Sequence, residues 1–334
     1  MKYRTTLSLA VVLMSWNVAA AAQTFKIATL APEGSFWMVE MRAAAQEIES
    51  RTGGRVNFRF YGGGVQGNDN QIRRKMRIGQ LHGATFTSGA LGKFTSAAET
   101  YALPMTFQSM DEVQYVRERM DGKIRQALED HGLVNFGLSG AGVGYMMSNT
   151  PVRTLVDMNG QKTWVQEGDE VAYAAFKALG ISPVTMPLTD VLTGLQTELL
   201  DSVAVSPVGA VVLQLHTKLK YITDLPLSYV YGALVIDDKY FSKLEAADQA
   251  VVREVLERIV RKIDAASISD NDEALQALQD SGLRMVAPDA AEISNWRSKV
   301  AASNRALAEQ GVVDKTLMGE MHGYITDYRA GETP

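Results

Sequence analysis

Short runs of alternating apolar and polar residues are separated by stretches of helical spacing along most of the chain. "FKIATLA" (25–31) predicts a strand, and Gly34-Ser35 then opens a helix in which Trp37, Met41, Ala44 and Ile48 share one face. Gly53-Gly54 should end that helix. "RVNFRFY" (55–61) alternates as a strand does, "NDNQIRRKMRIGQ" predicts a short helix with Ile72 and Met76 inward, and "HGATFTS" predicts another strand. A third helix is expected from near Asp111, with Val113, Val116, Met120 and Ile124 on one side. Strands alternating with helices in this way predict an α/β fold with a parallel or mixed sheet covered by helices.

After "LVNFGL" and "GVGYMMSN" the same rhythm returns. A short strand should hold Trp164, followed by a helix over 168–179, a strand at "PVTMPL", a helix at "TDVLTGLQTELL", a strand at "DSVAVS" and a helix over 207–217. Beyond Asp237 the pattern turns helical, with one long segment from about 246 to 280. No short repeat, low-complexity tract or flexible linker divides the two runs. Two similar lobes without a linker imply that the chain crosses between them more than once, so a ligand is expected in the cleft between them.

Composition narrows the setting. The start, "MKYRTTLSLAVVLMSWNVAAAAQ", has a basic end, an apolar stretch shorter than the ~20 residues of a spanning helix, and a small-residue finish. Residues 1–22 are therefore expected to be a secretory signal peptide, and the mature protein is expected in the periplasm. There is no cysteine, so neither a disulfide nor a lipidated N-terminal cysteine is expected. Without Lys2 and Arg4, 31 basic residues stand against 38 acidic ones, a net charge of −7 that argues against nucleic acid.

Candidate chemistry is sparse. "GGGVQG" (62–67) spells G-x-G-x-x-G after a strand and before a helix, but no acidic residue occurs between Asp69 and Glu99. It reads as a glycine-rich turn rather than a dinucleotide site. Gln66 and Asn68 are expected to finish that turn. The four histidines, His82, His131, His216 and His322, are scattered. No zinc pair, phosphate loop or G-x-S-x-G elbow is present. Neither catalysis nor a cofactor or metal is expected. The basic "RRKMR" helix (73–77) reads as a solvated face, although Arg73 or Arg74 would reach a ligand if that helix flanked the cleft.

"EIESRTGGRVNFRFYGGGVQGND", "RKMRIGQLHGATFTSG", "ALPMTF" and "LTDVLTGLQTELLDSVAVSP" together resemble the DctP-like solute-binding proteins of tripartite ATP-independent periplasmic (TRAP) transporters, over nearly the whole mature chain. The resemblance implies a two-lobed, type II-like periplasmic binding fold with one long helix lying across both lobes. It implies lobe I from 24–143 plus 230–270 and lobe II from 144–229 plus 271–334. It also implies lobe closure over a solute and delivery to a small and a large membrane subunit; a monomer is the expected state.

Most proteins of that family bind organic acids, and their pattern places an arginine in the strand after a D-x-x-G-x-K turn, where its fork pairs with a carboxylate. In "DMNGQKTWV" that place is taken by Trp164; a second arginine position aligns with Gly144, and an asparagine position with Ser206. The chain thus resembles an atypical member, and Trp164 is expected to face the cleft. An indole offers one N–H and an apolar face, which suits an amine, with Glu167 or Glu198 nearby, or a neutral aromatic compound. An organic acid would need Arg73, Arg74 or backbone N–H groups. Leu30, Trp37, Thr87, Ser88, Tyr145, Ser206, Tyr229 and Tyr231 complete the expected pocket, with Glu167. The rival readings are a receptor for an ATP-driven importer or a sensor, and an exported enzyme using the same cleft.

Overall fold

The computed structural model describes residues 22–331. The expected leader, up to residue 21, and residues 332–334 lie outside the described residues. The first pass of the chain lays down β1 (Gln23–Ala28), α1 (Phe36–Arg51), β2 (Val56–Tyr61), α2 (Asp69–Arg77), β3 (Gly83–Thr87), α3 (Ser88–Leu91), α4 (Met110–Asp130) and β4 (Leu133–Asn135). β5 (Ser139–Ser148) then leads into β6 (Thr163–Gln166), α5 (Glu170–Ala178), β7 (Val184–Met186), α6 (Val191–Gln196), β8 (Ser202–Val205), α7 (Pro207–Val212) and β9 (Tyr221–Thr223). The chain returns along β10 (Ser228–Asp237) and continues as α8 (Asp238–Phe241), α9 (Ala246–Asp280), β11 (Arg284–Val286), α10 (Ala290–Glu309) and α11 (Lys315–Arg329).

The strands follow the order β2-β1-β3-β10-β5-β8-β6-β7. β1 is parallel to β2 and β3, and β6 is parallel to β7 and β8, which are the strand–helix–strand units expected of each lobe. β5 and β10 pair antiparallel and join the halves: β10 goes on to pair with β3 and β4, while β5 goes on to pair with β8 and β9. Two ten-residue strands are long enough to serve both lobes; the three- and four-residue strands of lobe II are not.

The crossing point is shaped by glycine. Tyr231 pairs with Gly140 and Val230 with Gly142, so Ala141 is the extra residue of a bulge. Gly142 has φ +85°, and a Cβ there would lie 2.1 Å from the side chain of Asn271 on α9. The alternation in "GAGVG" thus lets the long helix lie directly on β5. Asp264 of α9 fixes that contact: it accepts from Gly140 N at 2.7 Å and from Arg117 of α4 at 2.8 Å. Arg117 also pairs with Asp121 at 2.9 Å and donates to the Tyr229 hydroxyl at 2.8 Å, so one largely buried guanidinium is shared by two carboxylates.

One helical stripe and one boundary differ from expectation. In α1 the buried residues are Met38, Met41, Ala44 and Ile48, so Met38 begins the inward stripe and Trp37 is left half-exposed beside it. The segment after 271 was expected in lobe II. α10 places Trp296 against Met146 and Phe176 there, but Met318, Met321 and Ile325 of α11 join Val113, Val116 and Met120 of α4 in the core of lobe I. Arg329 closes that contact on Glu112 at 2.7 Å. The glycine turn is a turn and no more. Gly63 N donates to Ala31 O at 2.8 Å, Gly64 N to Thr29 O at 3.1 Å and Gly67 N to Gly64 O at 2.8 Å, leaving none of these amides for a phosphate.

Candidate ligand cleft

A cavity of about 320 Å³ lies where the lobes meet, beyond the carboxyl ends of β1 and β3 and over the crossing strands. That is where open α/β sheets place ligands, because the chain turns away from the sheet there and leaves a crevice. Lobe I contributes Thr29 and Leu30 after β1, Phe36 and Trp37 at the start of α1, and Thr87 at the end of β3. Lobe II contributes Leu188 beyond β7, Ser206 at the N-cap of α7, and Val208 and Val212 on α7. β5 and β10 form the floor with Ser139 and Val230. The long helix supplies Val260, Ile263, Ser267, Asp270 and Asn271, spaced to lie along one face.

The wall is mostly apolar and carries no Lys, Arg or His. Its polar groups are largely hydroxyls and amides already in use. Ser206 Oγ accepts from Gly209 N at 3.2 Å as the cap of α7, and Asn271 donates to Ser267 O at 2.6 Å while accepting from Val208 N at 3.4 Å. Asp270 is the one charged residue of the lining.

The expected pocket residues divide. Leu30, Trp37, Thr87, Ser206 and Tyr231 line this cavity, although the Tyr231 hydroxyl turns away to bond Ala98 O. Trp164 does not line it. Its ring is 6% exposed, packs with Val191, Leu195 and Val203 in the core of lobe II, and donates its N–H to Met186 O at 2.9 Å. The expectation that this indole faces the ligand is thereby corrected: the strand is buried on both faces, and a large apolar ring gains most by filling the core. Tyr145 is half-buried against the same core, where burial raises its hydroxyl pKa. Tyr229 stacks on Tyr231 behind the floor, with centroids 6.0 Å apart, and Ser88 is buried at the start of α3. Arg73 and Arg74 lie outside the lining, and burial lowers the Arg73 pKa. The α9 residues and Phe36 were missed; the 260, 263, 267, 270 spacing could have flagged them.

Beside the cavity, sharing Leu30 and Leu188 with it, the lobes touch along a polar rim. Asn68 of lobe I, the N-cap of α2, donates to Glu167 at 3.2 Å, and Gln166 donates to Asp69 at 2.6 Å. Glu167 therefore sits at the rim rather than on the cavity wall. The second Asp69 oxygen is buried without a partner, and burial raises that carboxyl's pKa. Further along, Lys93 pairs with Glu170 at 2.5 Å over Asp169, whose pKa burial also raises. Among the described residues no group of three His, Asp or Glu side chains is placed to hold a metal, and no helix is long and apolar enough to cross a membrane.

Two lobes, crossing strands and a solute-sized cleft define a periplasmic binding protein. The chain belongs to the DctP family, the bacterial extracellular solute-binding proteins, family 7, which it matches over residues 27–310. It is 23% identical over 239 residues to the C4-dicarboxylate-binding periplasmic protein DctP of Rhodobacter capsulatus, covering 70% of this chain and 71% of that one. It is 21% identical to the sialic acid-binding periplasmic protein SiaP of Vibrio cholerae, covering 86% and 90%. Its fold superposes with a TM-score of 0.83 on the sugar acid binding protein DctPAm of Advenella mimigardefordensis in complex with galactonate, at 18% identity and 92% and 99% coverage. A TRAP periplasmic solute binding protein of Xanthobacter autotrophicus with bound galacturonate gives 0.80, at 20% identity and 90% and 98% coverage.

Proposed function

We propose that the protein is an extracytoplasmic receptor of a TRAP-type transporter, which closes its lobes over a small organic solute and passes it to membrane subunits without altering it. The 320 Å³ cavity would hold the solute, and its lack of any basic side chain sets it apart from an arginine-clamped carboxylate site. The solute is accordingly a neutral or amine-bearing compound. Closure is selective only if the ligand binds the closed form more tightly than the open one, and the rim contacts of Asn68 and Gln166 supply the closed arrangement.

An organic acid is the second reading. It is favoured by the relatives, whose names and bound compounds are acids, and by the α1 N-terminus, which lines the cavity and has no acidic residue in its first turn. Mass spectrometry of whatever co-purifies, followed by a thermal-shift screen of amines, neutral aromatics and organic acids, separates the two. Binding should raise stability as RT ln(1 + [L]/Kd). Stabilisation by micromolar dicarboxylates or sugar acids, with amines and neutral compounds silent, would overturn the first reading.

A further inference from the structure

We infer that the solute carries a cationic nitrogen on a largely apolar frame, and that Asp270 is its counter-charge; this rests on the cleft being the solute site. Asp270 is the only carboxylate in the lining, which holds no Lys, Arg or His, and it shares that lining with Val208, Val212 and Ile263. On the same helix Asp264 is paired with Arg117 at 2.8 Å, Asp248 with Arg55 at 2.7 Å and Glu254 with Arg51 at 2.7 Å, while Asp272 and Glu273 lie outside the cavity lining. Lys262, one turn and more before Ser267, is held by Glu40 at 2.8 Å. Asp270 is half-buried and has no ion pair and no side-chain hydrogen bond among the described residues.

A lone carboxylate on an apolar wall acts in one direction. It repels an anion entering the cavity and attracts a cation, and the low polarity around it strengthens both effects relative to open water. The opposing positive end of α1 is partly consumed by its own cap, since Ser35 Oγ accepts from Met38 N at 3.4 Å. Phe36 and Trp37, at that same end, line the cavity; the Phe36 ring already has Lys262 Nζ 5.8 Å from its centroid, so Trp37 is the ring that adds to the attraction for an ammonium group. Leu188, Val212 and Leu213 offer the apolar frame a dry surface.

Three probes of one shape and different charge decide the matter: phenethylamine, 2-phenylethanol and phenylacetate, titrated calorimetrically into full-length mature protein freed of solute by dialysis. Phenethylamine should bind about tenfold more tightly than 2-phenylethanol, and phenylacetate should not bind. Asp270→Asn should bring the amine down to the level of the alcohol, while Asp270→Glu keeps the preference. Equal binding of amine and alcohol, an amine preference that survives Asp270→Asn, or no binding of any probe at millimolar concentration overturns the counter-charge and leaves the neutral-wall reading in place. Preference for phenylacetate defeats that reading itself.

Discussion

The indole N–H of Trp164 reaches the carbonyl oxygen of Met186 at 2.9 Å, tying the middle of β6 to the end of β7. A ring so held is a beam of lobe II, not a wall of the cleft. The cavity is lined instead by hydroxyls, amides and aliphatic side chains, with Asp270 as its one charged residue.

Replacing that beam should cost stability before it costs binding. Trp164→Ala removes a buried ring and should destabilise the protein by about 3–5 kcal/mol in urea denaturation. Protein that remains folded should still bind the co-purifying solute. Loss of binding at unchanged stability would return the indole to the cleft.

Glu99 sets a pH dependence. It is 3% exposed, one of its oxygens has no partner, and burial, with Asp169 adding to it, pushes its pKa from 4.5 up to about 8. Lys93 opposes the shift and Glu170 adds to it. The folded protein then holds a proton that the unfolded chain releases above pH 4.5, so this contribution is complete below that pH and lost as pH rises to 8. Melting temperature should fall across that window, and Glu99→Gln should flatten the fall. An identical profile for the variant would show that Glu99 titrates normally.

The rim should govern how long solute stays. Asn68→Ala with Gln166→Ala removes both hydrogen bonds that cross between the lobes there. Two such bonds net about 0.5–1.5 kcal/mol each, so dissociation measured by stopped-flow fluorescence should quicken about tenfold or more while association is nearly unchanged. Unaltered dissociation would mean that these contacts play no part in closure.

Gly142→Ala should be poorly tolerated and Gly144→Ala should not matter. The first Cβ would meet Asn271 at 2.1 Å in a left-handed backbone, whereas the second would meet its nearest neighbour at an ordinary 3.5 Å. Strain and overpacking together should cost about 2–4 kcal/mol at Gly142. Thermal melts of the two variants compare them directly; equal melts would show that α9 yields easily at the crossing.

Much of the fold was legible because helical stripes report burial locally. Ile72 and Met76, or Val113, Val116, Met120 and Ile124, could be placed inward from spacing alone, and all are buried. The first stripe went astray by one residue because Trp37 and Met38 are both apolar, and spacing does not say which of two neighbours turns inward. Trp164 misled for a related reason. Thr163, Trp164 and Val165 are 0%, 6% and 2% exposed, so β6 has no polar face by which its register could be read. The resemblance puts residues 271–334 in lobe II, yet Met318, Met321 and Ile325 of α11 complete the core of lobe I.

Taken alone, the order of residues determined the repeated strand–helix units, the glycine turn at 62–67 and the likeness to a solute-binding family. Each depends on neighbours within a few turns of chain or on segments kept in order. Tertiary structure decided which side chains share the cleft. Phe36, Leu188 and Asp270 belong to three distant segments, and β5, β10 and α9 bring them to one cavity. The direction in which a side chain points across a domain boundary follows from how whole elements pack, and no local pattern carries that information.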